Sequence, residues 1–240
     1  MKIRSTFCYT DPGGRAENED SYGINCQAQN LVMVVADGLG GQGDGGIASK
    51  LAVQQLCNCG EDAFLLDESQ LQNAFDRANT AILEKQRNAN HMKTTAVCLC
   101  VSDGEAIWGH IGDSRLYHFF NGKIVEYTLD HSVSQMAVLL GEITHEQIPG
   151  HADRSRLLKA LGCEQIEPSI RHRTKLESGL HTFLLCTDGF WEYVPEYMME
   201  ETLGSGCDAK AWGKKMCDYL KANCKSNNDN YTVLIACVEV

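Results

Sequence analysis

Apolar residues gather along the chain in runs of strand length. Leu31–Ala36, Thr95–Val101, Ala106–Ile111, Leu116–Phe120, Thr182–Cys186 and Tyr231–Val238 are rich in β-branched and aromatic residues, and Gly or Asp bounds most of them. Such runs predict strands. Ile3–Tyr9 and Tyr22–Cys26 carry the same signal more weakly. Helical spacing appears in three places. Gly46–Cys57 holds Ile47, Leu51, Val53 and Leu56. Leu71–Gln86 repeats Leu71, Phe75, Ala78 and Ile82 at steps of three and four, with Ser69 as the predicted cap. Asp208–Lys221 places Trp212, Met216 and Leu220 every four residues. Two helices follow the early strands, several strands then run in series, and a helix and strand close the chain. That order predicts an α+β fold of mainly antiparallel sheets rather than a regular βαβ alternation.

Composition narrows the class. The 240 residues include 43% hydrophobic positions and only 4 Pro, enough to bury a core. The formal charge of -11 argues against nucleic acid or an anionic membrane as partner and favours cations. No stretch nears the ~18 consecutive apolar residues of a spanning helix, and no apolar segment follows the charged N-terminus as in a signal peptide. The expected location is therefore cytoplasmic. Twelve cysteines are many, but Cys57-x-Cys59 and Cys98-x-Cys100 lack the spacing of a structural zinc site. They are read as buried reduced thiols.

The chemistry lies where apolar strands run into acids. Val32-Met33-Val34-Val35-Ala36 leads into Asp37-Gly38-Leu39-Gly40-Gly41, and Phe183–Thr187 leads into Asp188-Gly189. Ile107–Gly112 leads into Asp113 more loosely. Asp229 stands just before the last strand, and Glu19-Asp20 follows Arg15. An acid at the mouth of a buried strand is partly desolvated, which is costly unless it is paired or binds metal. Carboxylates delivered by separate segments suit a hard cation such as Mg²⁺ or Mn²⁺, which takes oxygen ligands and keeps several waters. A single Asp-Gly is only a common turn pair; the set is informative. Gly41–Gly46 also matches G-x-G-x-x-G after a strand. Asp37 and Asp44 flank the place where pyrophosphate charge would sit, however, and repeated βαβ units are lacking, so the dinucleotide reading is set aside.

Taken in order, these segments resemble the metal-dependent Ser/Thr protein phosphatases of the PPM type (type 2C), bacterial branch. The matching motifs are Arg15-x-x-Asn18-Glu19-Asp20, Val35–Gly41 with Ala48-Ser49, Thr94-Thr95-Ala96, Gly112–Tyr117, Thr128-x-Asp130-His131-Ser132, Cys186–Phe190 and Asp229–Thr232. The resemblance spans Arg15 to Thr232. It implies a four-layer α-β-β-α sandwich with two central antiparallel sheets flanked by helices, as one catalytic domain over residues 1–240. It implies two to three Mn²⁺ or Mg²⁺ ions held by Asp20, Asp37, the Gly38 carbonyl, Asp113, Asp188 and Asp229, with Glu19 as a possible further ligand. Arg15 would bind the substrate phosphate. A hydroxide bridging the metals would attack phosphorus in line, with Asp37, Asp188 and Asp229 at the catalytic centre. Phosphoserine and phosphothreonine proteins, made by a bacterial-type Ser/Thr kinase, would be the substrates, and a monomer is expected.

Residues 134–161 correspond to the family's variable flap. Leu39 stands where relatives from higher organisms often carry His, and Lys93 stands where Gly is usual. His110, His131 and His172 are read as structural or exposed. Ser132 and Ser134 lack a nucleophile's surroundings. The alternatives are an inactive phosphatase-fold binding module, which loss of an acid or of Arg15 would signal, and a cysteine-based redox or zinc protein, which would need Cys-x-x-Cys spacing. Neither signal is present.

Overall fold

The structure, a computed structural model, describes residues 1–27, 30–40, 44–58, 67–86, 91–204 and 208–240. Gly41, Gln42, Gly43 and Cys59, which enter three of the motif readings above, lie outside the described residues.

Two five-stranded antiparallel sheets stack face to face. One has the order β1 (Lys2–Asp11), β12 (Tyr231–Glu239), β11 (Leu180–Cys186), β8 (Arg115–Phe120) and β9 (Lys123–Tyr127). The other runs β10 (Ser169–Lys175), β7 (Glu105–Ile111), β6 (Ala96–Ser102), β3 (Asn30–Ala36) and β2 (Ser21–Gln27). Along β3 the period of two divides the work. Leu31, Met33 and Val35 face the opposite sheet, where they meet Leu116, Phe183, Leu185, Leu234 and Ala236. Val32, Val34 and Ala36 face outward, under α1 (Asp44–Cys57) and α2 (Glu68–Gln86). The outer face of the other sheet is covered by α4 (Asp188–Trp191), α5 (Glu196–Leu203) and α6 (Ala209–Asn223). Both faces of the inner strands are thus dry, the condition their continuous apolar runs require. The layers are α-β-β-α, as the resemblance implied.

Several details differ from the sequence reading. The cap of α2 is Asp67, whose Oδ1 accepts from Gln70 N at 2.8 Å while Gln70 Oε1 accepts from Asp67 N at 2.9 Å. Ser69 instead donates to the Asp67 side chain. Lys93 lies in the two-residue strand β5 (Lys93–Thr94), paired with Leu39 of β4 (Gly38–Leu39). Residues 134–161 contain most of α3 (Val133–Leu139) and a 3-10 turn at His145–Gly150, and Ser132 accepts from Gln135 N as the cap of α3. Cys98, Cys100, Cys186 and Cys217 are buried, but Cys8 and Cys26 are exposed, and Cys237 is disulfide-bonded, so the reading of uniformly buried reduced thiols does not hold. Among the described residues no helix is long and apolar enough to cross a membrane.

Candidate active site

Strand register brings the acids together. Ser21 pairs with Ala36, Val35 with Val97, Ala96 with Ile111, Cys186 with Arg115 and with Val233, and Asp11 with Tyr231. These pairs place the end of β3, the β7–β8 crossover, the end of β11, the start of β12 and the β1–β2 crossover at one end of the sandwich. Asp37, Asp113, Asp188, Asp229 and Arg15–Asp20 occupy those connections in turn. A cleft of about 550 Å³ opens there, lined by Arg15, Glu19, Asp37, Gly38, Asp113, Asp188 and Asp229, with Leu39, Asn230, Ser155 and Leu157 among its other walls.

Short polar braces hold most of these connections. Thr95 Oγ1 accepts from Asp37 N at 2.9 Å and lies 2.7 Å from Ser114 Oγ, joining the Asp37 turn to the Asp113 crossover. Asp20 Oδ2 accepts from Thr187 at 2.9 Å and from Thr232 at 2.7 Å. Asn230 spans the Arg15 loop: its side chain accepts from Glu19 N and donates to the Pro12 and Glu17 carbonyls, all at 2.9 Å. Arg15 Nη2 donates to Asp229 Oδ2 at 2.9 Å. Two glycines permit the close approach of these connections. A Cβ on Gly189 would overlap the Asn230 carbonyl oxygen, and one on Gly38 would overlap the Gly45 backbone at the start of α1.

Electrostatics at this end are unfavourable without a counter-ion. Burial, then the charges of Asp20, Asp188, Asp113 and Asp229, holds the Asp37 carboxyl well above its usual range. Burial and Asp188 do the same to Asp113. Burial pushes Asp20 up to about 7 despite its two threonine donors, and burial with Glu192 and Asp229 pushes Asp188 up to about 7. Oxygens of Glu19, Asp20 and Asp188 are buried without any hydrogen-bond partner. Buried carboxylates crowded this way are stable when a cation shares them. Among the described residues no three such groups converge tightly enough to cage an ion as they stand. The arrangement is an open, oxygen-lined basin, which suits Mg²⁺ or Mn²⁺ with retained waters.

The three histidines stand apart from the cleft. His110 and His131 stack at 4.5 Å, with His110 Nε2 2.8 Å from the Leu129 carbonyl and His131 Nε2 2.9 Å from Ser169 Oγ. His172 is exposed beside Glu68. Sequence reasoning missed the braces Thr187, Thr232 and Asn230 as well as the cleft residues Ser155 and Leu157. Of these, Thr187 and Asn230 stand directly beside Asp188 and Asp229, acids already singled out, and Thr232 lies just beyond Asn230.

Residues 14–227 match the family model described as Protein phosphatase 2C. The chain belongs to the protein phosphatase 2C family. It is 32% identical over 237 residues to the serine/threonine phosphatase stp of Listeria monocytogenes, covering 94% of this chain and 92% of that protein. Among solved structures it resembles Staphylococcus aureus Stp1, at 28% identity and a TM-score of 0.86, over 100% of this chain and 96% of that one. It resembles equally the catalytic domain of PstP in complex with two manganese ions, at 27% identity and a TM-score of 0.84, over 98% of each chain. Of the sequence-predicted residues, Arg15, Glu19, Asp37, Gly38, Asp113, Asp188 and Asp229 line the cleft, while Asp20 lies buried beside it, held by Thr187 and Thr232.

Proposed function

We propose that this chain is a metal-dependent protein phosphatase that hydrolyses phosphoserine and phosphothreonine in proteins. The observation that carries the reading is the crowding of buried Asp20 and Asp113 with half-buried Asp37 and Asp188 at one end of the sandwich, with carboxylate oxygens of Asp20 and Asp188 unpartnered. Asp37, Asp188, Asp229, Asp20 and Asp113 with the Gly38 carbonyl would hold two to three Mn²⁺ or Mg²⁺ ions, and Glu19 would add a further oxygen. When bound, such ions make a shared water acidic and offset charge on the phosphoryl oxygens. Arg15, on the cleft wall, presents the planar donor fork that orients a phosphate. Leu39 lines the same cleft and offers no proton, so protonation of the leaving serine or threonine oxygen falls to water.

The reading extends to the chain's setting. Residues 1–240 act as one catalytic domain, with 134–161 as a flap whose Ser155 and Leu157 wall the cleft. The substrates are proteins phosphorylated by a bacterial-type Ser/Thr kinase in the cytoplasm, and the phosphatase works as a monomer. The net charge of -11 supports the absence of nucleic-acid and anionic-membrane partners. Nothing favours the inactive alternative, since Arg15 and every acid are in place.

Hydrolysis of a phosphothreonine peptide by the purified protein tests the reading. Turnover with Mn²⁺ or Mg²⁺ that chelator abolishes is expected; no turnover with either ion in folded protein overturns it.

A further inference from the structure

An ion pair and a hydrogen bond tie the segment 134–161 to the chain beyond Asp188. Arg154 grips Glu192 through both Nε and Nη2, the second bond 3.1 Å long, and His145 Nε2 lies 3.1 Å from Glu196. The first contact sits beside the acidic centre. Glu192 is one helical turn past Asp188, and its N–H donates to the Asp188 carbonyl at 3.0 Å. The Glu192 side chain is only 10% exposed, so its charge is poorly screened by water. Among neighbouring charges it is the foremost acting on the Asp188 carboxyl, and Asp188 in turn acts on Arg154. Neither Arg154 nor Glu192 falls within the motifs that carry the family resemblance.

We propose that the Arg154–Glu192 ion pair sets the cation affinity of the centre. Glu192 adds negative charge beside Asp188, and Arg154, brought by the segment 134–161, cancels part of it. The seating of that segment therefore decides how much charge an arriving cation meets. This inference rests on the reading of Asp188 as a metal ligand.

Charge and simple tethering make different predictions. Glu192→Gln removes a negative charge and weakens Mn²⁺ binding, by about tenfold if the charge acts as one pKa unit does. Arg154→Gln leaves Glu192 uncancelled and tightens binding by a similar factor. The double variant has the wild-type local net charge and returns close to wild-type affinity. Arg154→Lys keeps the charge and stays within about twofold of wild type, which also covers the case in which Arg154→Gln fails to fold. A tether would instead be loosened by either single change, and the double variant would bind no better than the weaker single.

The experiment is calorimetric titration of the full chain with Mn²⁺ at about pH 8, with Asp188→Asn alongside. Opposite shifts in the two glutamine variants and recovery in the double variant are expected. Shifts in the same direction, or no shift, overturn the proposal while the metal-centre reading stands. If Asp188→Asn binds as wild type does, or wild type binds no Mn²⁺, the metal-centre reading fails and takes the proposal with it.

Discussion

The Arg115 guanidinium meets the Asp130 carboxylate through two hydrogen bonds of 2.7 Å, Nε to Oδ1 and Nη2 to Oδ2. Both side chains are buried, and the guanidinium lies 3.6 Å above the Trp191 ring, whose Nε1 donates to the Asp113 carbonyl at 2.9 Å. One buried pair thus fixes the crossover that delivers Asp113 to the cleft. Removing Asp130 takes the bidentate partner from a buried guanidinium and leaves it Glu196 at 3.6 Å.

Asp130→Ala is therefore expected to cost about 3–5 kcal/mol of stability, read from urea unfolding. Replacing both partners with apolar residues of similar volume should cost less than the single change.

The acidic centre gives a pH signature in metal-free protein. An unfolded aspartate releases its proton near about pH 4, whereas Asp20 and Asp188 hold theirs up to about 7 in the fold. Between those values the native state carries more protons, so these groups lower stability as pH rises through the window. Cations relieve that penalty. The Tm gain from Mn²⁺ over EDTA should grow from about pH 5.5 to about pH 8, and Asp188→Asn should flatten the trend. A gain that shrinks with rising pH would contradict the assignment.

Arg15 pairs with Asp229 at an exposed site, so Arg15→Ala should change stability by less than about 1 kcal/mol. Its effect should fall on KM for a phosphopeptide rather than on kcat, the pattern of a lost phosphate contact. Steady-state kinetics distinguish the two.

Gly189→Ala should damage fold and activity together, because the new methyl group would push the Asp188 turn away from the Asn230 carbonyl. A control at an exposed turn, Gly141→Ala, has open space around its Cβ position but a φ of +74°, so it should cost only about 1 kcal/mol from backbone strain. Parallel thermal melts and activity assays check both.

The inner strands were legible in the chain because layers cover both of their faces; β3 reads as an unbroken apolar run from Leu31 that stops at Asp37, and Phe183–Cys186 of β11 as a shorter one just before Thr187 and Asp188. Of the edge strands, β1 and β2 showed only weakly and β9 and β10 did not show. Ser169–Lys175 and Lys123–Tyr127 alternate exposed and half-buried positions at the sheet margins, and their polar side chains imitate loop. The acids themselves could be named from sequence, since each sits at a strand mouth. Their braces could not: Thr232 reaches Asp20 across 212 residues, a relation that no local pattern encodes. The cap of α2 went to Asp67 rather than Ser69 because Gln70 answers it reciprocally, completing a box one residue pair earlier.

The acids are divided between the sheets. Asp37 leaves β3 in one, Asp188 and Asp229 flank β11 and β12 in the other, and Asp113 lies on the chain passing between them. Along most of their length the two halves are welded by apolar contact, but at this end they present like charges to each other. An ion held there acts as a rivet through two plates, so its removal takes away the clamp that closes the open seam as well as the chemistry.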